Sequence, residues 1–153
     1  MHPQEEQIAK AAVLIEALPY MQIFRGETFL IKVGGSAMED PALVRSLLRD
    51  VVFMEAVGIN PIIVHGGGKA ISKAMAEAGL EPNFVDGLRI TDEATITIVE
   101  KTLSHVINPG LVDAIVRFGG NAIGVPGTTV FICEKDTPNS VSYTHLTLPT
   151  IQL

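Results

Sequence analysis

Lys32, two clusters of glycine and Arg89 are the residues whose types and spacing can do chemistry. Lys32 stands near the end of the apolar run Phe29-Leu30-Ile31-Lys32-Val33, and Gly34-Gly35-Ser36 follows at once. The run Pro61-Ile62-Ile63-Val64-His65 leads into Gly66-Gly67-Gly68-Lys69, and Arg89 comes after the turn-like pair Asp86-Gly87. A glycine turn that opens a helix exposes backbone N–H groups where the helix dipole favours an anion. Two such turns at one edge of a parallel sheet make a site for two anionic groups, with a lysine and an arginine at hand. Three consecutive glycines also let a ligand approach the backbone with no Cβ in the way. The pattern is not the spaced-glycine dinucleotide fingerprint, and with Ala70 after Lys69 it is not a P-loop.

Each of these residues has a plainer reading. Lys32 is expected in a strand buried on both faces, where an ammonium is costly unless it meets a partner or an anion. It sits toward the strand's C-terminal end, the edge at which open α/β sheets bind ligands. Its functional role would be to stabilise charge on a transferring phosphoryl group; the alternative is a lysine that reaches out to solvent. Gly34-Gly35 taken alone is often only a turn. Arg89 suits bidentate capture of a carboxylate, although most arginines are surface residues. His65 can serve as a base, but a histidine at a strand end is more often a hydrogen-bonded core residue. No His, Cys and Asp cluster has metal-ligand spacing, and no nucleophile–base pair is visible.

The elements that must position these groups follow from hydrophobic period and turn chemistry. Residues 28–33 and 61–64 read as strands. Asp40-Pro41 reads as an N-cap with proline at the first helical position, opening a helix that buries Leu43, Leu47, Val51 and Met54 and ends at Gly58. A second helix covers 69–78, closed by Gly79. The order is βαβα, with a right-handed crossover in a parallel sheet. Asp86-Gly87 predicts a hairpin, and Thr91 an N-cap for a helix carrying Ile96, Val99 and Leu103. That helix is expected to break near Ser104 and restart at Asn108-Pro109. Residues 121–125 and 128–133 read as strands, and the Thr-, Ser- and Leu-rich tail as one short strand around 141–148. Before all of this, residues 4–18 predict an amphipathic helix with Ile8, Ala11, Ala12, Ile15 and Leu18 on one face, stopped by Pro19. It packs either on its own domain or against another subunit.

The totals restrict the partners. A chain of 153 residues that is 47% hydrophobic and 18% charged has enough apolar content for a folded core. Its formal charge of −6 argues against nucleic acid or an anionic membrane as the main partner. Cys133 is the single cysteine, so no intrachain disulfide can form, which fits a reducing compartment. No apolar run approaches the roughly 20 residues of a membrane span. The acidic start, with Glu5 and Glu6, does not read as a signal or transit peptide. A cytoplasmic protein is expected.

Together these residues resemble the amino acid kinase family. The resemblance rests on Ile31-Lys32-Val33-Gly34-Gly35, on Val64-His65-Gly66-Gly67-Gly68 and on Gly87-Leu88-Arg89-Ile90-Thr91-Asp92-Glu93, and continues through Asn108, Leu111-Val112, Gly119-Gly120 and Ala122-Ile123-Gly124. The lysine–glycine strand marks the wider family. The triple glycine followed by the Gly87–Asp92 segment narrows it to the branch that phosphorylates N-acetyl-L-glutamate.

The resemblance implies a three-layer α/β/α sandwich with a mainly parallel sheet. It implies ATP as co-substrate, with Mg2+ carried on it, and phosphorylation of the substrate's side-chain carboxylate early in arginine biosynthesis. By the same resemblance Lys32 would be the lysine that stabilises the transferring phosphoryl group. Gly67 and Gly68 would hold the substrate through their amides, Gly34 and Gly35 would line the phosphate passage, and Arg89 would bind substrate. The first helix, with Leu18-Pro19-Tyr20 and Phe24-Arg25-Gly26, resembles the arginine-inhibited branch, whose helices interlace dimers; it implies a homo-oligomer, a dimer or a hexamer.

The resemblance runs from about residue 10 to 135 and fades over Glu134 to Pro138. Family members are longer, and their second half supplies the nucleotide domain, an asparagine, an aspartate and a second lysine that have no counterpart here. The chain therefore divides into an interface helix (1–20), an acetylglutamate-binding domain (21–138) and a tail unlike the family (139–153), and is expected to be a truncated form of that fold without ATP turnover. Two rival readings remain: a non-catalytic substrate-binding or oligomerisation module, and a relative acting on another acid such as aspartate or carbamate.

Overall fold

The computed structural model describes residues 3–85, 87–130 and 150–152. Strands β1 (Thr28–Val33) and β2 (Asn60–His65) pair in parallel, from Thr28 opposite Asn60 to Val33 opposite His65. The crossover between them is α2 (Pro41–Ala56). The Asp40 carboxylate accepts hydrogen bonds from the N–H of Ala42 at 2.8 Å and of Leu43 at 3.3 Å, and Pro41 occupies the first turn, where its missing N–H costs nothing. Past the helix end, Gly58 has φ +87°, the left-handed turn that glycine makes without a Cβ penalty. Helix α3 (Gly68–Glu77) follows β2 directly. The expected βαβα order is present, with ends moved by about one residue.

The rest of the chain departs from expectation in several places. A short antiparallel hairpin, β3 (Phe84–Val85) and β4 (Leu88–Arg89), forms around Gly87 as expected. Helix α4 (Glu93–Glu100) is capped by Asp92, not Thr91: the Asp92 carboxylate accepts from the Thr95 N–H at 2.8 Å. Hydrogen bonding with the Thr95 side chain, and then with its N–H, holds the Asp92 pKa below the ordinary aspartate value. The Thr91 hydroxyl instead turns back and donates to the Arg89 carbonyl at 3.2 Å. The predicted break near Ser104 does not occur. A π-helical stretch, Lys101–Ile107, carries α4 into α5 (Asn108–Arg117) without leaving the helical path. Pro109 cannot donate to the preceding turn, and the wider π turn absorbs that loss. Asn108 is therefore helical, with φ −57° and ψ −52°, and caps nothing. The first helix, α1 (Pro3–Phe24), runs through Pro19 and ends where the Phe24 ring meets Phe29 edge-on at 5.4 Å. Its apolar residues do not form one face: consecutive Val13, Leu14 and Ile15 are all exposed, since successive side chains lie about 100° apart around a helix.

The main sheet has the order β1-β2-β6-β5, with β5 (Ile123–Val125) and β6 (Thr150–Gln152). β6 runs antiparallel to both neighbours, so β1, β2 and β5 point the same way and the sheet is mainly parallel. Residues 123–125 of the expected third strand lie in the same sheet as β1 and β2, separated from β2 by β6. Thr128 and Thr129 lie in a short 3-10 turn (Gly127–Thr129) rather than a strand, and residues 131–133 and 141–148 fall outside the described residues.

Helices α2 and α5 pack one face of the sheet, where Val33, Leu48, Val51, Ile63, Leu111 and Ile115 form the main core. A second cluster, Ile71, Met75, Val99 and Leu103, joins α3, α4 and the π turn, and Ile107 touches both. β1 is not buried on both faces as its apolar run suggested. It lies at the sheet edge and alternates, leaving Leu30 70% exposed and Lys32 exposed. The face of the sheet that a residue occupies therefore sets the cost of a substitution. Ile63→Ala should lower unfolding stability by about 2–5 kcal/mol, the usual cost of emptying a packed site, while Leu30→Ala should fall within about 0.5 kcal/mol. Urea denaturation of the two variants checks this, and equal losses would show that the two faces are not distinguished.

Candidate functional site

The parallel ladder does not stop at the strand ends. The Gly66 N–H donates to the Val33 carbonyl at 2.9 Å, so the turn after β2 is stitched to the end of β1. The two glycine turns consequently lie side by side: a Cβ placed on Gly66 would sit 3.9 Å from the Gly34 Cα. Gly35 has φ +58°, a conformation that other side chains rarely take.

Beside these turns lies a cleft of about 780 Å³. Gly35, Gly67, Gly68 and Arg89 all line it, so four of the six residues singled out from sequence converge. Gly34 abuts the turn without lining the cleft. Lys32 points to the exposed side of β1 and is not among the lining residues. Gly67 sits against the cleft floor: a Cβ there would come within 2.5 Å of Ile107 Cδ1 and 2.7 Å of Leu103 Cδ2. Gly68 has open space where a Cβ would be, and its amide begins α3. A side chain at 67 would make the ends of Ile107 and Leu103 shift, while glycine at 68 leaves the helix N-terminus open.

Arg89 reaches the cleft from the hairpin. It is paired across the strands with Phe84, and its guanidinium lies 4.6 Å from the centre of that ring. Nη2 donates to the Ser72 hydroxyl at 2.7 Å and to the Gly68 carbonyl at 3.1 Å, and Nη1 contacts the Met75 sulfur at 3.0 Å. Ser72 in turn donates to the Gly68 carbonyl at 3.0 Å. Every one of these partners is neutral. Partial burial lowers the arginine's pKa, yet the group keeps its charge, and among the described residues no carboxylate pairs with it. A guanidinium held in place by neutral groups is prepared for an anion.

His65 is fully buried. Its Nδ1 lies 3.2 Å from the Gly66 carbonyl, to which its N–H donates, and Nε2 has no hydrogen-bond partner among the described residues. It is a core residue, not a base facing the cleft. Asn108, read from sequence as a helix cap, is buried as well. Gly124 leaves the room it needs, since a Cβ there would fall 2.0 Å from Asn108 Oδ1.

Sequence reasoning missed Ser72, Phe84, Glu39 and Lys69. Two of them were recoverable: Ser72 stands one helical turn after Gly68, and Phe84 is the residue a tight hairpin at Asp86-Gly87 sets opposite Arg89.

A profile of the amino acid kinase family matches residues 27–152. The chain belongs to the amino acid kinase family. It is 59% identical over 128 residues to an acetylglutamate kinase of Akkermansia muciniphila, a match covering 84% of this chain and 43% of that protein. It is 53% identical over 136 residues to the acetylglutamate kinase of Thermoanaerobacter pseudethanolicus, covering 88% of the chain and 46% of the relative. The chain thus spans less than half the length of these relatives. Among solved structures, a Streptococcus mutans protein superposes with a TM-score of 0.54 at 28% identity, over 61% of this chain and 37% of its own. An N-acetylglutamate synthase from Neisseria gonorrhoeae, solved with coenzyme A and N-acetyl-glutamate, superposes with a TM-score of 0.53 at 22% identity, over 71% of this chain and 24% of its own; that likeness concerns the fold alone.

The buried His65 makes stability depend on pH. Burial lowers its pKa below the ordinary histidine value of about 6.5, so below that pH the unfolded chain takes up a proton that the folded chain resists. Stability should be full above that pH and decline as pH falls toward the lowered folded-state value. Unfolding midpoints between pH 7.5 and 5.5 should slope less in His65→Gln than in the native chain, and equal slopes would remove His65 as the cause.

Proposed function

We propose that this chain is the acetylglutamate-binding part of an enzyme that transfers the γ-phosphoryl group of ATP to the side-chain carboxylate of N-acetyl-L-glutamate. The observation that carries the proposal is Arg89: a charged guanidinium fixed by neutral partners at the mouth of a glycine-walled cleft. The similarity to acetylglutamate kinases along most of the chain supports the same substrate.

In this reading Arg89 binds a substrate carboxylate, and the Gly67 and Gly68 backbone holds the substrate against the floor formed by Leu103 and Ile107. Gly34 and Gly35 line the path of the phosphates, whose charge suits a turn with free N–H groups. Lys32 stabilises the phosphoryl group in flight. It stands two residues before the glycine turn on an exposed strand face, so it would meet a nucleotide brought from outside this cleft. ATP supplies the phosphoryl group and carries Mg2+. Among the described residues no three His, Cys, Asp or Glu side chains gather as a separate metal site. Catalysis is by alignment and charge stabilisation, with no covalent intermediate on the protein.

The exposed apolar girdle of α1 supports assembly of several copies through this helix, as in the arginine-inhibited branch of the family. No helix among the described residues is long and apolar enough to cross a membrane, and a cytoplasmic location fits the single Cys133. The division of the chain into residues 1–20, 21–138 and 139–153 is part of the same proposal.

Two measurements test it. Arg89→Lys should weaken N-acetyl-L-glutamate binding by roughly tenfold or more, because a lysine cannot reproduce the fork that a carboxylate accepts; calorimetry giving an unchanged Kd would reduce Arg89 to a structural residue. In a complete enzyme carrying both halves, Lys32→Ala should reduce kcat roughly 100-fold or more with a smaller change in KM, as expected for an interaction made in the transition state. Near-normal acylphosphate formation, read by hydroxamate trapping, would remove Lys32 from the mechanism.

A further inference from the structure

The cleft is crossed by an ion pair that the proposed reaction has not used. Glu39 follows the short turn Gly35–Met38 after β1, and Lys69 stands in the first turn of α3. Both line the cleft, and the Lys69 ammonium donates to a Glu39 carboxylate oxygen across it. We propose that Lys69 is a carboxylate-binding residue of this cleft, held by Glu39 while the cleft is empty and handed to the second carboxylate of an acidic ligand when it fills. The inference deepens the reading above and rests on it.

Three observations lead here. First, N-acetylglutamate carries two carboxylates, and Arg89 is one cation. Among the described residues that line the cleft, Lys69 is the other cation and Glu39 is the carboxylate. Lys32 is outside the lining, so a dianion bound here has Lys69 as its second counter-charge. Second, Lys69 occupies the first turn of a helix, where the dipole disfavours a cation. An anion beside the ammonium offsets that, and Glu39 and a bound carboxylate are interchangeable in the role. Third, the pair is exposed: the Lys69 side chain is 78% and that of Glu39 34% accessible. An ion pair in water contributes little to folding and is readily exchanged. Glu39 returns to solvent on exchange, so no charge is left buried. While the pair is closed, the Glu39 carboxylate also repels an arriving anion, which makes the pair a filter as well as a reservoir.

The roles of the two residues are opposed, and that separates this proposal from a structural tie. Calorimetric titration of the 153-residue chain with N-acetyl-L-glutamate, and with N-acetyl-L-glutamine as a probe with one carboxylate, distinguishes them. Lys69→Met should weaken N-acetylglutamate binding roughly threefold to tenfold and leave N-acetylglutamine within about twofold. Glu39→Gln should tighten N-acetylglutamate binding, because it frees Lys69 and removes the repulsion. Variants that shift affinity in the same direction would make the pair a mere tie between the two walls, and the proposal fails. A native chain that binds N-acetylglutamate with Lys69→Met unchanged overturns the role of Lys69 and leaves the substrate reading standing. A native chain that binds neither compound overturns both.

Discussion

One backbone hydrogen bond, from the Gly66 N–H to the Val33 carbonyl, carries the parallel pairing of β1 and β2 past the strands and into the turns. Everything at the site depends on it. Parallel strands end at the same edge of a sheet, so two strand–glycine–helix units in tandem must present their turns together. The turns lie in van der Waals reach of each other, a Cβ on Gly66 falling 3.9 Å from the Gly34 Cα, and the backbone at Gly67 passes close under the ends of the Leu103 and Ile107 side chains. The helix that follows then opens toward the gap between the turns, with its first amide groups free for an anion.

The charges around this gap are arranged by different means. Arg89 is fixed by a ring, a hydroxyl, a carbonyl and a thioether, none of which neutralises it. The short hairpin contributes as much as the helix does. It sets Phe84 opposite Arg89 and turns the guanidinium back toward α3, while the Thr91 hydroxyl holds the Arg89 carbonyl from behind. Lys69, by contrast, is matched to a carboxylate that competes for it. A fixed cation and an exchangeable one suit a ligand with two acidic groups, one to orient it and one to sense it. Lys32 lies outside this cleft, on the exposed face of β1.

The sheet itself differs from a plain parallel arrangement. β6 lies antiparallel between β2 and β5, matching Ile62, Ile63 and Val64 on one side and Ile123, Gly124 and Val125 on the other. It holds β5 in line with β1 and β2. The side of the sheet away from α2 and α5 leaves Leu30 and Ile123, on the same face by register, 70% exposed each.

Local chemistry decided the elements that are legible in the residues alone. Asp40-Pro41 starts α2, Gly58 and Gly79 follow the helices they end, and a hairpin turns at Gly87, because capping, left-handed turns and proline act within a few residues of themselves. The convergence of Gly35, Gly67, Gly68 and Arg89 was legible too, since parallel strands force their turns to one edge. What tertiary structure decided is whatever depends on distant partners. The apolar run of β1 does not reveal that its strand is an edge with one open face, so Leu30 and Lys32 are exposed. Thr91 and Asp92 are both good caps, and the pull of the Arg89 carbonyl on Thr91 leaves Asp92 to do it. Asn108 looks like a cap by its neighbour Pro109, but the π turn before it keeps the chain helical and buries its side chain beneath Gly124. The pairing of Glu39 with Lys69 joins residues that sequence keeps far apart, and only the meeting of the two turns brings them across one cleft.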